Sequence, residues 1–485
     1  MKKAAIHTYL FTILLCVGFI SCEQWQDVDS DPNVISDGPA ITEDIMLIGV
    51  EAEWVETANG RLDTWGGLFT TWTSWYGIYG SLPENMNIGV GFGNEVWDSY
   101  SGSLKHAVEL YDKASTNGNI HYQGIAGVIA AWHWFYIADV YDQAPLEDAM
   151  KGLDVLQPTL ASQEEIYAHA SGLLDEAIAL FQDSDGGEKV PGSDDYMLGG
   201  DVTKWSKLAY SLKARQAMRL LYAPGKSKAG QADLVLSYLD NGMTSNDDIV
   251  TWQHLDDLAN ASRVNEYMNR AFTGGLGLTP GNFLVDMMNS YNDPRRYIMF
   301  TFSEEDPTGF VGISAGEVIA PGKRTSNYKF TFLNKSYPDF IMTYSETQFL
   351  MAEAYAIKGE WAMAENAMKA GSRADMEYIG VPEADIAAYL SQGTLAMPND
   401  EEGAQELIIN QKSISNVFKT FETYFDFIRT GYPQYDFDYM IQNVDNTTTF
   451  PRRFPYPAAE IEKNPNVKAV GQSDWFAKGT TWDNK

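Results

Sequence analysis

Seven windows of this chain carry apolar residues at alternating spacings of three and four, and that periodicity limits the fold more than any other feature. They are "EVWDSYSGSLKHAVELYDKA", "YQGIAGVIAAWHWFYIADVYD", "SQEEIYAHASGLLDEAIALF", "VTKWSKLAYSLKARQAMRLLY", "YSETQFLMAEAYAIKG", "EWAMAENAMKAGSRADMEY" and "AQELIINQKSISNVF". Each gathers its apolar side chains on one face of a 3.6-residue helix, and several follow a Ser, Asp or Thr able to cap the first turn. Strand signals are few and short, with "NYKFTFL" at 327–333 the best of them. The predicted class is mainly α, with helical periodicity beginning at Ile41.

Some windows come in pairs. "LMAEAYAIKGEWAMAENAMKAG" sets Ala352, Ala354, Ala362, Ala364 and Ala367 around Tyr355 and a turn at Gly359, the small-residue-and-aromatic arrangement of a tetratricopeptide unit. Small residues at such positions let two helices approach closely. "IYAHASGLLDEAIALF" has a similar second-helix pattern. The repeats are degenerate, which predicts a scaffold of a few tetratricopeptide-like pairs and not a regular solenoid. Long irregular stretches at 80–94, 184–200, 243–281 and 303–338 separate the helical blocks, and loops of that length are the places to look for a ligand.

The amino terminus speaks of location. Lys2 and Lys3 precede an apolar run from Tyr9 to Ile20, and small Ser21 comes just before Cys22. This reads as a secretory signal, residues 1–21, ending at a lipobox-like cysteine. The run is shorter than the roughly 20 residues that span a bilayer, so it does not read as a transmembrane helix. Acylated at Cys22, the mature chain would be held by several acyl chains, at about 0.8 kcal/mol per buried CH₂. Residues 22–40, acidic and turn-rich, read as the lipidated tether, and 41–485 as a single helical domain.

Cys16 lies in the segment that is removed, so Cys22 alone remains and no intramolecular disulfide is expected. Stability must come from packing. Loss of Lys2 and Lys3 leaves 32 of the 34 basic residues against 66 acidic ones, a formal charge of -34. That balance repels nucleic acid and anionic lipid surfaces. It leaves neutral or cationic ligands as the better fit.

Catalytic and metal signals are weak. Among so many carboxylates, close pairs such as Glu304 and Glu305 arise by chance, and linear spacing does not place two of them across a glycosidic bond. His121 and His133 are too far apart for an i, i+4 metal pair, and His133, between Trp132 and Trp134, reads as a packed helix residue. "GVGFG" at 89–93 and "GGLG" at 274–277 follow no convincing strand and read as loop glycines. The acidic "SEED" at 303–306 leaves a calcium site open without supporting one. Neither a catalytic centre, a cofactor nor a metal is expected.

Several separate blocks resemble the SusD/RagB family of surface lipoproteins, most closely its SusD-like branch. "DVYDQAPLEDAM" is similar to the family's turn after an early long helix, and "DVTKWSKLAYSLKARQAMRL" to its "W-x-K-x-A-x-S-L-x-x-R" helix. "YSETQFLMAEAYAIKGEW" is similar to its "E-x-x-F-L-x-A-E-A" segment, and "TYFDFIRTGYP" and "RRFPYPAAEIEKNPNV" to its C-terminal blocks. The resemblance runs with gaps from Cys22 to about Val467. It implies a SusD-like helical fold with tetratricopeptide-like pairs, on the outer membrane of a Gram-negative bacterium and facing outward. It also implies a non-enzymatic role: delivery of a nutrient, usually an oligosaccharide, to a partner SusC-type TonB-dependent transporter.

Sugars offer flat C–H faces between rims of hydroxyls, so their sites pair aromatic faces with Asn, Asp, Gln or Arg. Two loops carry that mixture. The first, "SLPENMNIGVGFGNEVW", holds Asn85, Asn87 and Phe92 and leads into Trp97; the second, "TWQHLDDLANASRVNEYMNRAF", holds Trp252, Arg263, Tyr267 and Arg270. For any single ring, pinning a loop to the scaffold is an equal reading. "TWGGLFTTWTSWYGIYG" at 64–80 divides the same way. At about 100° per residue, Trp65, Phe69, Trp72, Tyr76 and Tyr79 fall within roughly 40° of one line on a helix, a core stripe. Trp75 lies off that line, leaving Trp75, with Tyr79 at the loop's start, as its ligand candidates. A helical scaffold protein without a glycan, or capture of peptide cargo, are the competing readings, and an enzyme is the third.

Overall fold

A computed structural model of the chain describes residues 41–59, 73–76, 94–257, 260–266, 277–304, 306–314, 325–419, 421–435, 451–470, 479–483 and 485. The signal segment, Cys22 and the tether lie outside them. The first half runs α1 (Glu43–Asn59), β1 (Thr73–Tyr76), α2 (Asn94–Asp98), α3 (Ser103–Asn117), α4 (Ile120–Tyr141), β2 (Ala144–Pro145), β3 (Leu160–Ala161), α5 (Gln163–Phe181), α6 (Val202–Arg219) and α7 (Lys228–Leu239). After β4 (Val250–Trp252) and β5 (Gly277–Pro280) come α8 (Asn282–Ser290), α9 (Arg295–Met299) and β6 (Asp339–Met342). The chain closes with α10 (Tyr344–Ile357), α11 (Trp361–Tyr378), α12 (Glu383–Leu390), α13 (Glu401–Ser415), α14 (Glu422–Thr430), α15 (Ala458–Lys463) and α16 (Pro465–Ala469). The fold is mainly α, as expected.

Residue chemistry sets the helix boundaries. Ser162 and Glu165 form a reciprocal capping box at the start of α5, and the Asp201, Thr343 and Asp400 side chains accept from first-turn amides of α6, α10 and α13. Such caps satisfy amides that the helix itself leaves unpaired. α4 is apolar on every side and buried along nearly its whole length, which places it at the centre of the bundle. It packs between α3 and α5. A Cβ at Gly124 would stand 2.5 Å from the Phe181 ring, so the glycine is what lets α4 and α5 come so close.

The α10–α11 hairpin turns at Gly359, whose φ of 73° suits glycine. Ala352, Ala364 and Ala367 are buried in one cluster where the two helices meet, as the tetratricopeptide-like pattern predicts, while Ala354 is buried in the main core and Ala362 faces outward. α7 packs against α10 and ties the earlier helices to this hairpin.

Three expectations change. The "EVWDSYSGSLKHAVELYDKA" window is two helices, α2 and α3, broken at Gly102. "NYKFTFL" is not a strand: Tyr328 makes an isolated bridge to Phe300 and the chain then turns. Of the stretch 64–80, only Thr73–Tyr76 is described, and it is a strand, β1, paired antiparallel with β5 so that Trp75 stands opposite Leu278. The helical stripe therefore fails at Tyr76, because a ladder with residues some two hundred positions away replaces local periodicity. Trp65, Phe69, Trp72 and Tyr79 lie outside the described residues.

The family-like blocks interlock. Arg215 of α6 grips Glu346 of α10 through two bonds of 2.7 Å, and Arg429 of α14 holds Glu353 of α10 at 2.5 and 2.8 Å. Arg219 reaches Glu422 at 2.8 Å. The last block docks on the first, with the Phe454 amide donating to Val140 at 2.7 Å and the Tyr456 hydroxyl to the Gln143 carbonyl at 2.7 Å. Lys207, in the same helix as Arg215, bonds Asp248 at 2.9 Å.

Candidate functional site

Fixing a turn costs chain entropy unless side chains hold it, and Asp195 holds the turn at 195–200 completely. Its carboxylate accepts from the Met197, Leu198 and Gly200 amides and from the Trp205 indole at 2.7 to 3.1 Å. Gly200, at φ 78°, leaves no room for a Cβ, which would stand 2.3 Å from the Pro191 carbonyl oxygen. The Tyr196 amide donates to buried Glu51 of α1 at 2.9 Å. Burial first, and then the neighbouring Asp195, push the Glu51 carboxyl up to about 10, so it is protonated at neutral pH. The turn is anchored from below, and it presents the Tyr196 ring to solvent at 59% exposure.

Trp252 stands beside it, with ring centroids 5.7 Å apart and planes at 68°. The tryptophan sits at the end of β4, paired with Asp339 of β6 just after an irregularity in register at Val250/Thr251. The next residues stay on the same edge: His254 Nε2 meets Asp339 at 2.7 Å, and Gln253 donates to the Ser336 carbonyl. Burial would lower the His254 pKa, but the bond to Asp339 and its charge outweigh it, so the shift is upward. Arg263 pairs with Glu56 of α1, both about half exposed, and its charge is felt at His254. The result is a rigid ledge of two rings bordered by an imidazole, two carboxylates and a guanidinium. Stacking surface and hydrogen-bonding rim stand together there, the combination that holds a sugar.

The expected site residues divide. Trp252 and Arg263 lie on this ledge. Trp97 does not: it is 8% exposed and packs edge-on against Tyr141 and Tyr456 at 5.2 and 5.6 Å. That aromatic cluster joins α2 to α4 and the C-terminal block, so Trp97 is core and is withdrawn as a ligand residue. Trp75 is placed only by its strand. Tyr79, Asn85, Asn87, Phe92, Tyr267 and Arg270 lie outside the described residues, as does the glycine loop at 89–93. His133 is buried as expected, and burial holds its pKa down to about 3.

Sequence reasoning missed Tyr196. Its signal is a lone ring among turn formers in "GSDDYMLGG", with no apolar partner three or four residues away on either side. A second exposed aromatic group also went unnamed. Tyr297 and Phe302, roughly half exposed, both contact Phe310, at 5.2 and 4.9 Å, with the Arg296 guanidinium 5.6 Å from the Phe310 ring. Among the described residues no cluster of three metal-ligating side chains exists, and no helix is long and apolar enough to cross a membrane.

Comparison with known proteins places this architecture. Residues 52–457 match the SusD-like family model described as starch-binding associating with outer membrane. A SusD/RagB family protein from Bacteroides thetaiotaomicron VPI-5482 superposes with a TM-score of 0.73 at 24% identity, over 92% of this chain and 99% of the other. A chitin-binding protein gives 0.75 at 22% identity, over 92% and 100%. A SusD homolog from Bacteroides uniformis ATCC 8492 gives 0.75 at 23% identity, over 91% and 99%. At such identities the likeness to these structures is one of fold. No curated protein matches the sequence.

Proposed function

Because the chain belongs to the SusD-like family, we propose that it is a non-enzymatic lipoprotein that captures an oligosaccharide or polysaccharide and passes it to a SusC-type TonB-dependent transporter. In this reading residues 1–21 are removed, Cys22 carries the lipid, 22–40 form the tether, and the domain from 41 onward faces the exterior of the outer membrane. The observation that carries the reading is the Tyr196–Trp252 ledge, two rings held on a locked turn and a strand pair. Rings fixed before the ligand arrives lose little conformational freedom on binding, which favours affinity. The family description supports a polysaccharide ligand.

Calorimetric titration of the mature protein with starch-derived, chitin-derived and other oligosaccharides, and with peptides, tests this. One glycan class is expected to bind, and Tyr196→Ala combined with Trp252→Ala should weaken it by about tenfold or more. Undiminished affinity in that double variant would remove the ledge as the site. Binding of peptides alone would change the cargo. Co-purification of a transporter with the lipidated protein, lost in Cys22→Ala, tests the partner and the anchor.

A further inference from the structure

Away from the ledge, α3, α4 and α5 enclose a cleft of about 290 Å³, roofed by the 146–150 segment that follows β2. It shares no lining residue with the ring ledge. Trp134 forms its floor at 2% exposure, and the indole N–H has no acceptor among the described residues. Tyr111 and Met150 stand in the walls, half-buried. Met150 holds a left-handed φ of 59°, a conformation that persists in a non-glycine residue only where its surroundings fix it. The walls are thus apolar, concave and set.

The mouth carries one sign of charge. Asp112 of α3 and Glu147 of the roof line it, both exposed, and neither makes an ion pair among the described residues. Lys151, close to Glu147 in the chain, is engaged with Asp148 at 3.1 Å. His169 also lines the cleft, edge-on to Trp134 at 5.7 Å; partial desolvation lowers its pKa against the opposing pull of the Glu147 charge. Carboxylates without partners over aromatic walls attract a cation both through charge and through the ring faces.

We propose that this cleft binds an organic cation, its apolar body against Trp134 and Met150 and its ammonium group at the Asp112 and Glu147 carboxylates. Isosteric probes separate charge from shape: 2-phenylethylamine, 2-phenylethanol and phenylacetate, titrated into the full mature chain by calorimetry. The amine is expected to bind about tenfold more tightly than the alcohol at low salt, with the gap narrowing in 0.5 M NaCl and the anion weakest. Asp112→Asn with Glu147→Gln should bring the amine down to the level of the alcohol. Ala149→Trp, which fills the mouth, should abolish both. Tyr196→Ala and Trp252→Ala should leave the amine affinity unchanged, so this site and the glycan ledge stand or fall separately. No binding of the amine, equal affinity for all three probes, or full amine affinity in the Asp112→Asn/Glu147→Gln variant would overturn the proposal.

Discussion

The helix bundle and the ring ledge handle charge in opposite ways. In the bundle, Arg429, Glu353, Asp426 and Lys412 are almost wholly buried and satisfy one another, with Arg429 bonding both carboxylates and Lys412 reaching Asp426 at 2.8 Å. On the ledge, Arg263 and Glu56 meet in water with about half of each side chain exposed. A buried network fixes how segments pack, since each charge is costly without its partner. A hydrated pair can exchange its partner for a ligand. Arg429, Glu353 and Asp426 lie in blocks that resemble the family, whereas Lys412 and a second buried network of Arg295, Asp293, Asp375 and Lys419 lie outside them, so the resemblance covers only part of what fixes the scaffold.

The sharpest test of that division is Arg429→Met. Removing the guanidinium leaves Glu353 and Asp426 buried beside fewer partners, and broken buried pairs cost about 3 to 5 kcal/mol. Urea unfolding should show a loss of that size, while the folded fraction keeps its glycan affinity. A variant that binds glycan far more weakly while still fully folded would mean the network also shapes the ledge.

Glu51 joins the two regions, since it lies in the bundle and accepts the Tyr196 amide. Its carboxyl is raised to about 10 in the folded chain, against an ordinary value of 4.5. A raised pKa stabilises the fold below 4.5, and that contribution is lost progressively as pH rises from there toward 10. Glutamine keeps the neutral shape, so Glu51→Gln removes the loss. The stability difference between Glu51→Gln and the parent should widen in favour of glutamine by about 2 to 3 kcal/mol between pH 6 and pH 8, following about 1.4 kcal/mol per pH unit for one proton. A constant difference across those pH values would show that Glu51 is ionised in the fold.

What could be read in advance follows the same line. Helices such as α4 and α5 depend on residues three and four apart, and local periodicity finds them to within a few positions. β1 depends on β5, far along the chain, and its "TSWY" fits a helical stripe as well as a strand, although aromatic and β-branched residues suit a pleated surface. Trp252 and Arg263 stood out because polar and aromatic residues mix in their loop, and the fold sets Trp252 against the Tyr196 ring and Arg263 against Glu56. Trp97 sat in an equally suggestive loop and proved to be core, since exposure depends on Tyr141 and Tyr456, which no local pattern brings near. Tyr196 escaped because a ring in a turn has no periodicity to betray it.

Arg263→Ala probes the ledge more gently. Half-exposed ion pairs contribute about 0.2 to 1 kcal/mol to stability, so the melting temperature should barely move. Glycan affinity should fall about fivefold, in line with the roughly 1 kcal/mol that a rim hydrogen bond contributes. Affinity equal to that of the parent would reduce Arg263 to a tie between its own segment and α1.

The smallest effect belongs to a pair that lies on the bundle but not inside it. Lys228 of α7 meets Glu401 of α13 at 2.5 Å, with the two side chains 45% and 40% exposed. Position on the scaffold alone would predict a large cost on breaking it; hydration predicts little, because water takes up whatever charge is released and two long side chains regain their freedom. Lys228→Met should change stability by less than about 1 kcal/mol, and a double-mutant cycle with Glu401→Gln should give a coupling energy of the same small size. A coupling as large as the Arg429 loss would show that what separates bundle from ledge is the identity of the helices joined, and not the burial of the charges that join them.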